Sequence, residues 1–93
     1  MAVLVIQEFE GTRDEYEQVN EKIDPENNPP SGLILHCGAD IGGGKLRVVD
    51  VWESQDDFQS FVQGTLIPAI NEVNPDAPQA DVQMHELIDL VKP

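Results

Sequence analysis

Residues 32–53 read GLILHCGADIGGGKLRVVDVWE, and this stretch decides the fold. Two runs rich in aliphatic and β-branched residues, 32–41 and 45–53, flank the triplet Gly42-Gly43-Gly44. Strand-forming residues on both sides of a glycine turn predict an antiparallel β-hairpin. The two strands of this hairpin lie in the middle of the chain. The secondary structure of the segments before and after it can be predicted next.

The segment before the hairpin predicts one strand followed by one helix. Residues 2–9, AVLVIQEF, are apolar and β-branched until Gln7, which is typical of a buried strand. Thr12 followed by Glu15 has the spacing of a capping box and predicts a helix start. Residues three and four apart then share one helix face: Tyr16, Val19 and Ile23. The proline- and asparagine-rich residues 24–30 end this helix.

The segment after the hairpin repeats the pattern. Ser54 with Asp57 predicts a second helix start, followed by an apolar stripe made of Phe58, Phe61, Val62 and Leu66. Pro68 predicts a kink or a second short helix over 68–74. Residues 81–91 predict a last strand.

The resulting order, β-α-β-β-α-β over residues 1–93, predicts a single ferredoxin-like α+β domain. We expect a four-stranded antiparallel sheet with the helices on one face, because crossover connections are right-handed. The other face would then expose apolar residues such as Leu4 and Ile6. An exposed apolar sheet face is typical of a partner surface, and we expect two copies of the chain to form a homodimer through it.

Residues 51–61, VWESQDDFQSF, resemble the strand-to-helix junction of the dimeric α+β barrel superfamily, in its antibiotic-biosynthesis-monooxygenase-like branch. The resemblance implies a dimeric barrel built from two ferredoxin-like sheets. Its members include cofactor-free quinone-forming monooxygenases, haem-degrading enzymes and small proteins without a known activity.

The haem-degrading members carry an Asn on the first strand, and a Trp and then a His on the second helix. The corresponding places here hold Gln7, Phe61 and Asn71. The missing His matters most, because imidazole binds haem iron and an amide binds it poorly. We therefore expect that the protein does not degrade haem. We also expect that it uses no cofactor.

The amino-acid composition limits the classes of partner that the protein could bind. Lys and Arg total 5 and Asp and Glu total 18, a net charge of −13. This balance argues against nucleic acid and against an anionic membrane surface, which both need basic residues. An acid excess of this kind fits either an ordinary acidic protein or salt adaptation. The single cysteine and the short N-terminal apolar run predict a cytoplasmic location.

His36 is the strongest catalytic candidate, as a general base. If Gly42-Gly43-Gly44 forms a three-residue loop, His36 faces Asp50 across the hairpin, with Trp52 two residues along on the same face. If Gly42-Gly43 forms a two-residue loop, His36 faces Val49 instead. The sequence leaves both registers open.

The remaining candidates would bind the substrate. Trp52, Phe58 and Phe61 could form an apolar wall, and Gln7 or His85 could donate a hydrogen bond to a carbonyl. We expect no metal site, because His36 and Cys37 point to opposite faces of one strand, and we expect Cys37 to be a small buried residue.

Together these residues predict a protein that binds a small apolar or aromatic molecule between helices and sheet. It could act as a cofactor-free monooxygenase or an isomerase, with His36 taking a proton and Asp50 orienting it. The alternatives are a carrier or sensor without catalysis, and a structural interaction protein without a cavity.

Overall fold

The computed structural model describes residues 2–93 and confirms the ferredoxin-like α+β fold. Its strands are β1 (Val3–Glu10), β2 (Leu33–Gly42), β3 (Lys45–Trp52) and β4 (Asp81–Glu86). Its helices are α1 (Arg13–Ile23), α2 (Gln55–Phe61) and α3 (Ile67–Val73), with a π-helical turn at Val62–Leu66 between the last two. All strand pairs are antiparallel, and the sheet order is β2-β3-β1-β4.

The hairpin of β2 and β3 combines a short tip with a β-bulge. Gly42 pairs with Lys45, but the next pair is Asp40 with Leu46, so Ile41 is the extra residue of the bulge. From there on His36 pairs with Asp50. The tip is therefore a two-residue turn, Gly43-Gly44. Because the bulge adds one residue to β2, the strands beyond it have the register of the three-residue-loop alternative, in which His36 faces Asp50. The glycines at 42, 43 and 44 all have positive φ, which other residues adopt at a cost.

The core lies between the sheet and the helices. Val5, Trp52 and Phe58 form its buried centre, with Val3, Leu33, Phe61 and Val62 packed around them. The ring of Trp52 contacts Phe58 edge-on at 5.8 Å and Phe61 at 5.2 Å between centroids. The apolar stripe of the second helix is thus the surface that covers the sheet.

The helices begin where the sequence indicates. Thr12 and Ser54 accept hydrogen bonds from the backbone N–H groups of Glu15 and Asp57, both at 3.1 Å. After α2 the chain widens into the π-turn, in which the Ile67 N–H donates to the Val62 carbonyl five residues back. Pro68 then lies in the first turn of α3, where its missing N–H is tolerated. The predicted short second helix is confirmed.

The last strand is shorter than predicted. β4 ends at Glu86, where it pairs with Val3, the first residue of β1. The Leu87 N–H still donates to the Ala2 carbonyl at 3.0 Å. In the sheet of residues 2–93, β1 is the only strand next to β4, and it begins at Val3, so residues 87–91 have no strand to continue against.

One face of the sheet carries none of the helices described for residues 2–93. Strand register assigns Leu35, Cys37, Val49, Ile6 and Leu4 to this side, which we call the open face. Leu35 is 49% exposed, and Cys37 is exposed as well, which corrects its predicted burial. The reason is that Cys37 points away from the helices, to the side of the sheet that no helix of residues 2–93 covers.

Candidate functional site

A cavity of about 370 Å³ opens between the helices and the sheet. Its walls come from β1, α1, the π-turn, α3 and the segment before β4. Apolar side chains form most of its surface, among them Phe9, Val19, Phe58, Val62, Leu66, Ile67, Ile70, Val73 and Val82. Its volume lies in the range of sites that bind small organic molecules.

The paired strands of the hairpin bring His36 and Asp50 together beside this cavity. The Nδ1 atom of His36 lies 2.6 Å from Oδ1 of Asp50. Asp50 is 2% exposed, whereas the His36 side chain is about a quarter exposed. The predicted His–carboxylate contact is thus present, and its carboxylate lies in the interior.

Trp52 holds the other oxygen of this carboxylate. Its indole N–H donates to Oδ2 of Asp50 at 3.2 Å, and the ring itself is 1% exposed. Two N–H groups therefore satisfy Asp50, which a buried carboxylate requires. Trp52 fixes the carboxylate from within the core and does not line the cavity.

Tyr16 connects His36 to the cavity. The Tyr16 hydroxyl lies 2.9 Å from Nε2 of His36, and the two rings lie nearly parallel, 11° apart, at 6.5 Å between centroids. Tyr16 lines the cavity, whereas His36 does not. The result is a continuous hydrogen-bonded chain, Trp52–Asp50–His36–Tyr16, which ends at the cavity wall.

The direction of the hydrogen bonds follows from Asp50. An ionised carboxylate only accepts hydrogen bonds, so Nδ1 of His36 carries the hydrogen that faces Asp50. In a neutral imidazole Nε2 is then the acceptor, and the Tyr16 hydroxyl donates to it. These hydrogen bonds are therefore arranged to pass a proton from Tyr16 towards His36.

The surroundings of Tyr16 keep its hydroxyl protonated. Burial raises the pKa of the Tyr16 phenol, and the nearby charges of Asp50 and Cys37 raise it further. At neutral pH the group is a neutral phenol that hydrogen-bonds, not a phenolate. It can accept a proton from a ligand only if it gives its own proton to His36 at the same time.

Gly38 makes room for this tyrosine. It lies two residues after His36 on the same strand face, and a Cβ atom there would come within 2.8 Å of the Tyr16 hydroxyl. A second, smaller cavity of about 160 Å³ lies on this side of Tyr16, between α1 and the hairpin. The phenol ring is thus a wall between two open spaces.

The predicted ligand-binding residues separate into three groups. Gln7 and Phe58 line the main cavity; Trp52 and Phe61 do not, because they pack into the core beneath it. His85 pairs with Leu4 and therefore lies on the open face, on the other side of the sheet from His36. The structure thus does not bring His85 to the cavity, since residues 85 and 84 of β4 point to opposite faces.

Sequence reasoning gave Tyr16 either a packing role or a place at the mouth between helices and sheet, but no role in proton transfer. Two signals could have identified it: it is the single tyrosine of the chain, on the inward face of α1, and Gly38 leaves space beside His36. These two signals can be combined only when the position of α1 over the hairpin is known.

Two structural findings concern other classes of site. Among residues 2–93, no three His, Cys, Asp or Glu side chains are grouped in a way that could hold a metal ion. None of the helices in that part of the chain combines the length and the apolar character needed to cross a membrane.

Comparison with known proteins gives matches among solved structures only. No family model and no curated protein matches the chain. SnoaB, a cofactor-independent oxygenase from Streptomyces nogalater, superposes with a TM-score of 0.69 at 14% identity, over 99% of this chain and 98% of that one. NE2512, a protein of unknown function from Nitrosomonas europaea, gives 0.74 at 14% identity, over 99% and 94%. A candidate antibiotic biosynthesis monooxygenase from Deinococcus radiodurans gives 0.71 at 11% identity, over 98% and 97%.

These similarities define a class at the level of the fold. The chain is a small α+β protein with the fold of the antibiotic-biosynthesis-monooxygenase-like proteins, and the resemblance predicted from residues 51–61 is confirmed to that extent. At identities of 11–14%, these similarities show a shared fold and give no evidence about a shared reaction. What the cavity does has to be argued from its own residues.

Proposed function

We propose that this protein binds a small, mostly apolar aromatic molecule in the main cavity and removes a proton from it. The observation that carries the proposal is the hydrogen-bonded chain from Asp50 through His36 to the Tyr16 hydroxyl at the cavity wall. A cavity that needed only to hold an apolar ligand would not require a buried carboxylate behind its single phenol.

The proton moves in two linked transfers. The phenolic oxygen of Tyr16 takes a proton from an acidic C–H or O–H of the ligand, while the Tyr16 hydroxyl proton passes to Nε2 of His36. Tyr16 remains neutral, and His36 becomes an imidazolium beside the carboxylate of Asp50. This pair stabilises the positive charge where it forms. His36, about a quarter exposed, can then lose the proton to water.

The resulting ligand anion can react with dioxygen without a cofactor. An acidic methylene conjugated with an aromatic ketone loses one proton to Tyr16, and the anion combines with dioxygen and takes up one proton to give a hydroperoxide. Loss of water then leaves a new carbonyl group. One oxygen atom enters the product, the other leaves as water, and dioxygen is the oxidant. The fold similarity to SnoaB, a cofactor-independent oxygenase, supports this outcome over an isomerisation.

We further propose that two copies pair through the open face. Leu35 is 49% exposed there, and Leu4, Ile6 and Val49 are only half-buried in the single chain. Burying such an apolar surface is favourable by about 25 cal/mol per Å². The main cavity lies on the other side of the sheet, so the interface leaves its entrance open.

The test uses anthrone, a three-ring ketone with an acidic methylene, as the probe. Under argon in D₂O, proton NMR follows deuterium exchange at the methylene, which reports proton removal alone. In air, oxygen uptake and anthraquinone formation report the oxygenation. We expect the protein to accelerate both, with one dioxygen consumed per anthraquinone.

The matched variants are His36→Asn and His85→Asn. They change the two histidines of the chain, one within the hydrogen-bonded chain and one on the open face. We expect His36→Asn to lower the exchange rate by about 100-fold, a typical general-base contribution, and His85→Asn to leave it unchanged. Saturable anthrone binding without accelerated exchange would indicate a carrier and contradict the proposed proton transfer.

A further inference from the structure

We propose that the main cavity selects an uncharged ligand and that Glu15 is the residue that rejects anions. The inference rests on the proposed function, because it names the class of molecule that the same cavity admits. It is argued from the charges of the cavity wall, from the contacts that hold Glu15 in place and from the groups at the buried end.

The charged part of the wall is entirely acidic. Glu10 and Glu15 line the cavity, and no Lys, Arg or His is among the described residues that do. Two cations are engaged elsewhere, in the Lys22–Glu72 and Arg47–Glu8 ion pairs. A carboxylate ligand would therefore lose its hydration and find no cation in return, while the net charge of −13 opposes its approach.

Glu15 is fixed at its place in this wall. Its Oε1 accepts a hydrogen bond from the Thr12 hydroxyl at 3.2 Å, and its Oε2 accepts one from the Asn74 amide at 3.1 Å. The second bond joins α1 to the residue that follows α3, and both Glu15 and Asn74 line the cavity. A half-buried carboxylate held from two sides cannot swing away to admit a negative charge.

The other polar groups of the cavity suit a neutral ligand. Gln7 is 9% exposed, and its amide side chain lines the cavity. An amide both donates and accepts, and the nearby Tyr16 hydroxyl, whose hydrogen faces His36, accepts. These two groups can satisfy a hydroxyl or a carbonyl oxygen, whereas neither supplies the positive charge that a carboxylate needs.

The test compares two probes of nearly identical shape, 2-naphthamide and 2-naphthoate, titrated at pH 7 by calorimetry. We expect the neutral amide to bind at least roughly tenfold more tightly than the anion, a ratio that corresponds to about 1.4 kcal/mol. Glu15→Gln keeps the side-chain shape and can keep both hydrogen bonds. We expect it to strengthen naphthoate binding about threefold and to leave naphthamide unchanged.

The control variant is Asp14→Asn, which removes one negative charge from the neighbouring residue of α1, exposed and outside the cavity wall. It should leave the preference for naphthamide unchanged. Equal binding of both probes would overturn the charge selection while the binding cavity stands. An unchanged ratio in Glu15→Gln would overturn the role of Glu15. Binding of neither probe would contradict the proposed cavity itself, and the inference with it.

Discussion

Tyr16 combines two properties, a position in the wall of an apolar cavity and a hydrogen bond to an imidazole. Burial and the charge of Asp50 raise the pKa of its phenol. Asp50, one of the groups that keep Tyr16 neutral, also favours a proton on His36, because a protonated imidazole is attracted to the carboxylate that would repel a phenolate.

The raised pKa of Tyr16 can be measured directly, because the chain has one tyrosine. We expect tyrosinate absorbance to appear with a midpoint above pH 10.0, the ordinary value of the phenol. The unfolded chain ionises first as the pH rises, so the free energy of unfolding should decrease from about pH 10 upward. Denaturant titrations at pH 8 and above pH 10 check the sign. A midpoint below 10.0 would contradict the buried position of the phenol.

Gly38 provides a second test of the position of Tyr16. In Gly38→Ala the new methyl group would lie 2.8 Å from the Tyr16 hydroxyl, so the phenol has to move away from His36. We expect methylene exchange of anthrone to slow by roughly tenfold or more, as misplaced catalytic groups do. Gly64→Ala is the control, since nothing lies within 4 Å of the added Cβ. Equal rates in both variants would show that the Tyr16–His36 contact does not matter.

At the scale of residues, the sequence offered the His36–Asp50 contact as one of two alternatives and did not indicate the contact with Tyr16. The alternation of a strand places His36 on the same face as Asp50 once the register is known, and the sequence left that register open. Tyr16 belongs to a helix separated from the hairpin by residues 24–32, and no local pattern specifies how that helix lies on the sheet. His85 lies on the face away from the cavity because of the register of β4, which the sequence did not specify.

The hairpin shows why element boundaries were easier to predict than registers. Glycines and strand-forming residues located its two strands to within one residue. The register, however, depends on the bulge at Ile41, which adds one residue to β2. Bulges follow from local backbone choices at several residues together, and a run of three glycines permits more than one of them.

The start of α2 carries a capping interaction that can be removed on its own. The Ser54 hydroxyl accepts from the Asp57 N–H at 3.1 Å and donates to the Asp57 carboxylate at 2.9 Å. We expect Ser54→Ala to lower the free energy of unfolding by about 1 kcal/mol. Ser60→Ala, at an exposed site within the same helix, should have little effect. Chemical denaturation followed by Trp52 fluorescence measures both; equal stabilities would show that the cap contributes nothing.

For the whole molecule, the two faces of the sheet have different roles. The helix-covered face holds the core, the cavity and the hydrogen-bonded chain. The open face offers apolar side chains to a partner, while the net charge of −13 opposes the approach of a second copy. Because salt screens that repulsion and leaves apolar burial in place, higher ionic strength should favour the proposed dimer.

A charge placed on the open face should disrupt this dimer. We expect Leu35→Asp to shift the mass measured by light scattering from dimer towards monomer, because a carboxylate would be buried without a partner. Ile88→Asp, which adds the same charge at an exposed position beyond β4, should remain dimeric. A monomeric wild-type chain at high salt would contradict pairing through the open face.

The proton transfer at Tyr16 is tested most directly by methylene exchange of anthrone under argon with the Tyr16→Phe variant. This change removes one oxygen atom and keeps the ring that separates the two cavities. We predict unchanged anthrone affinity and an exchange rate lower by about 100-fold, because His36 then has no route to the ligand. An exchange rate equal to that of the wild-type protein, at equal affinity, would contradict the proposed role of the phenol.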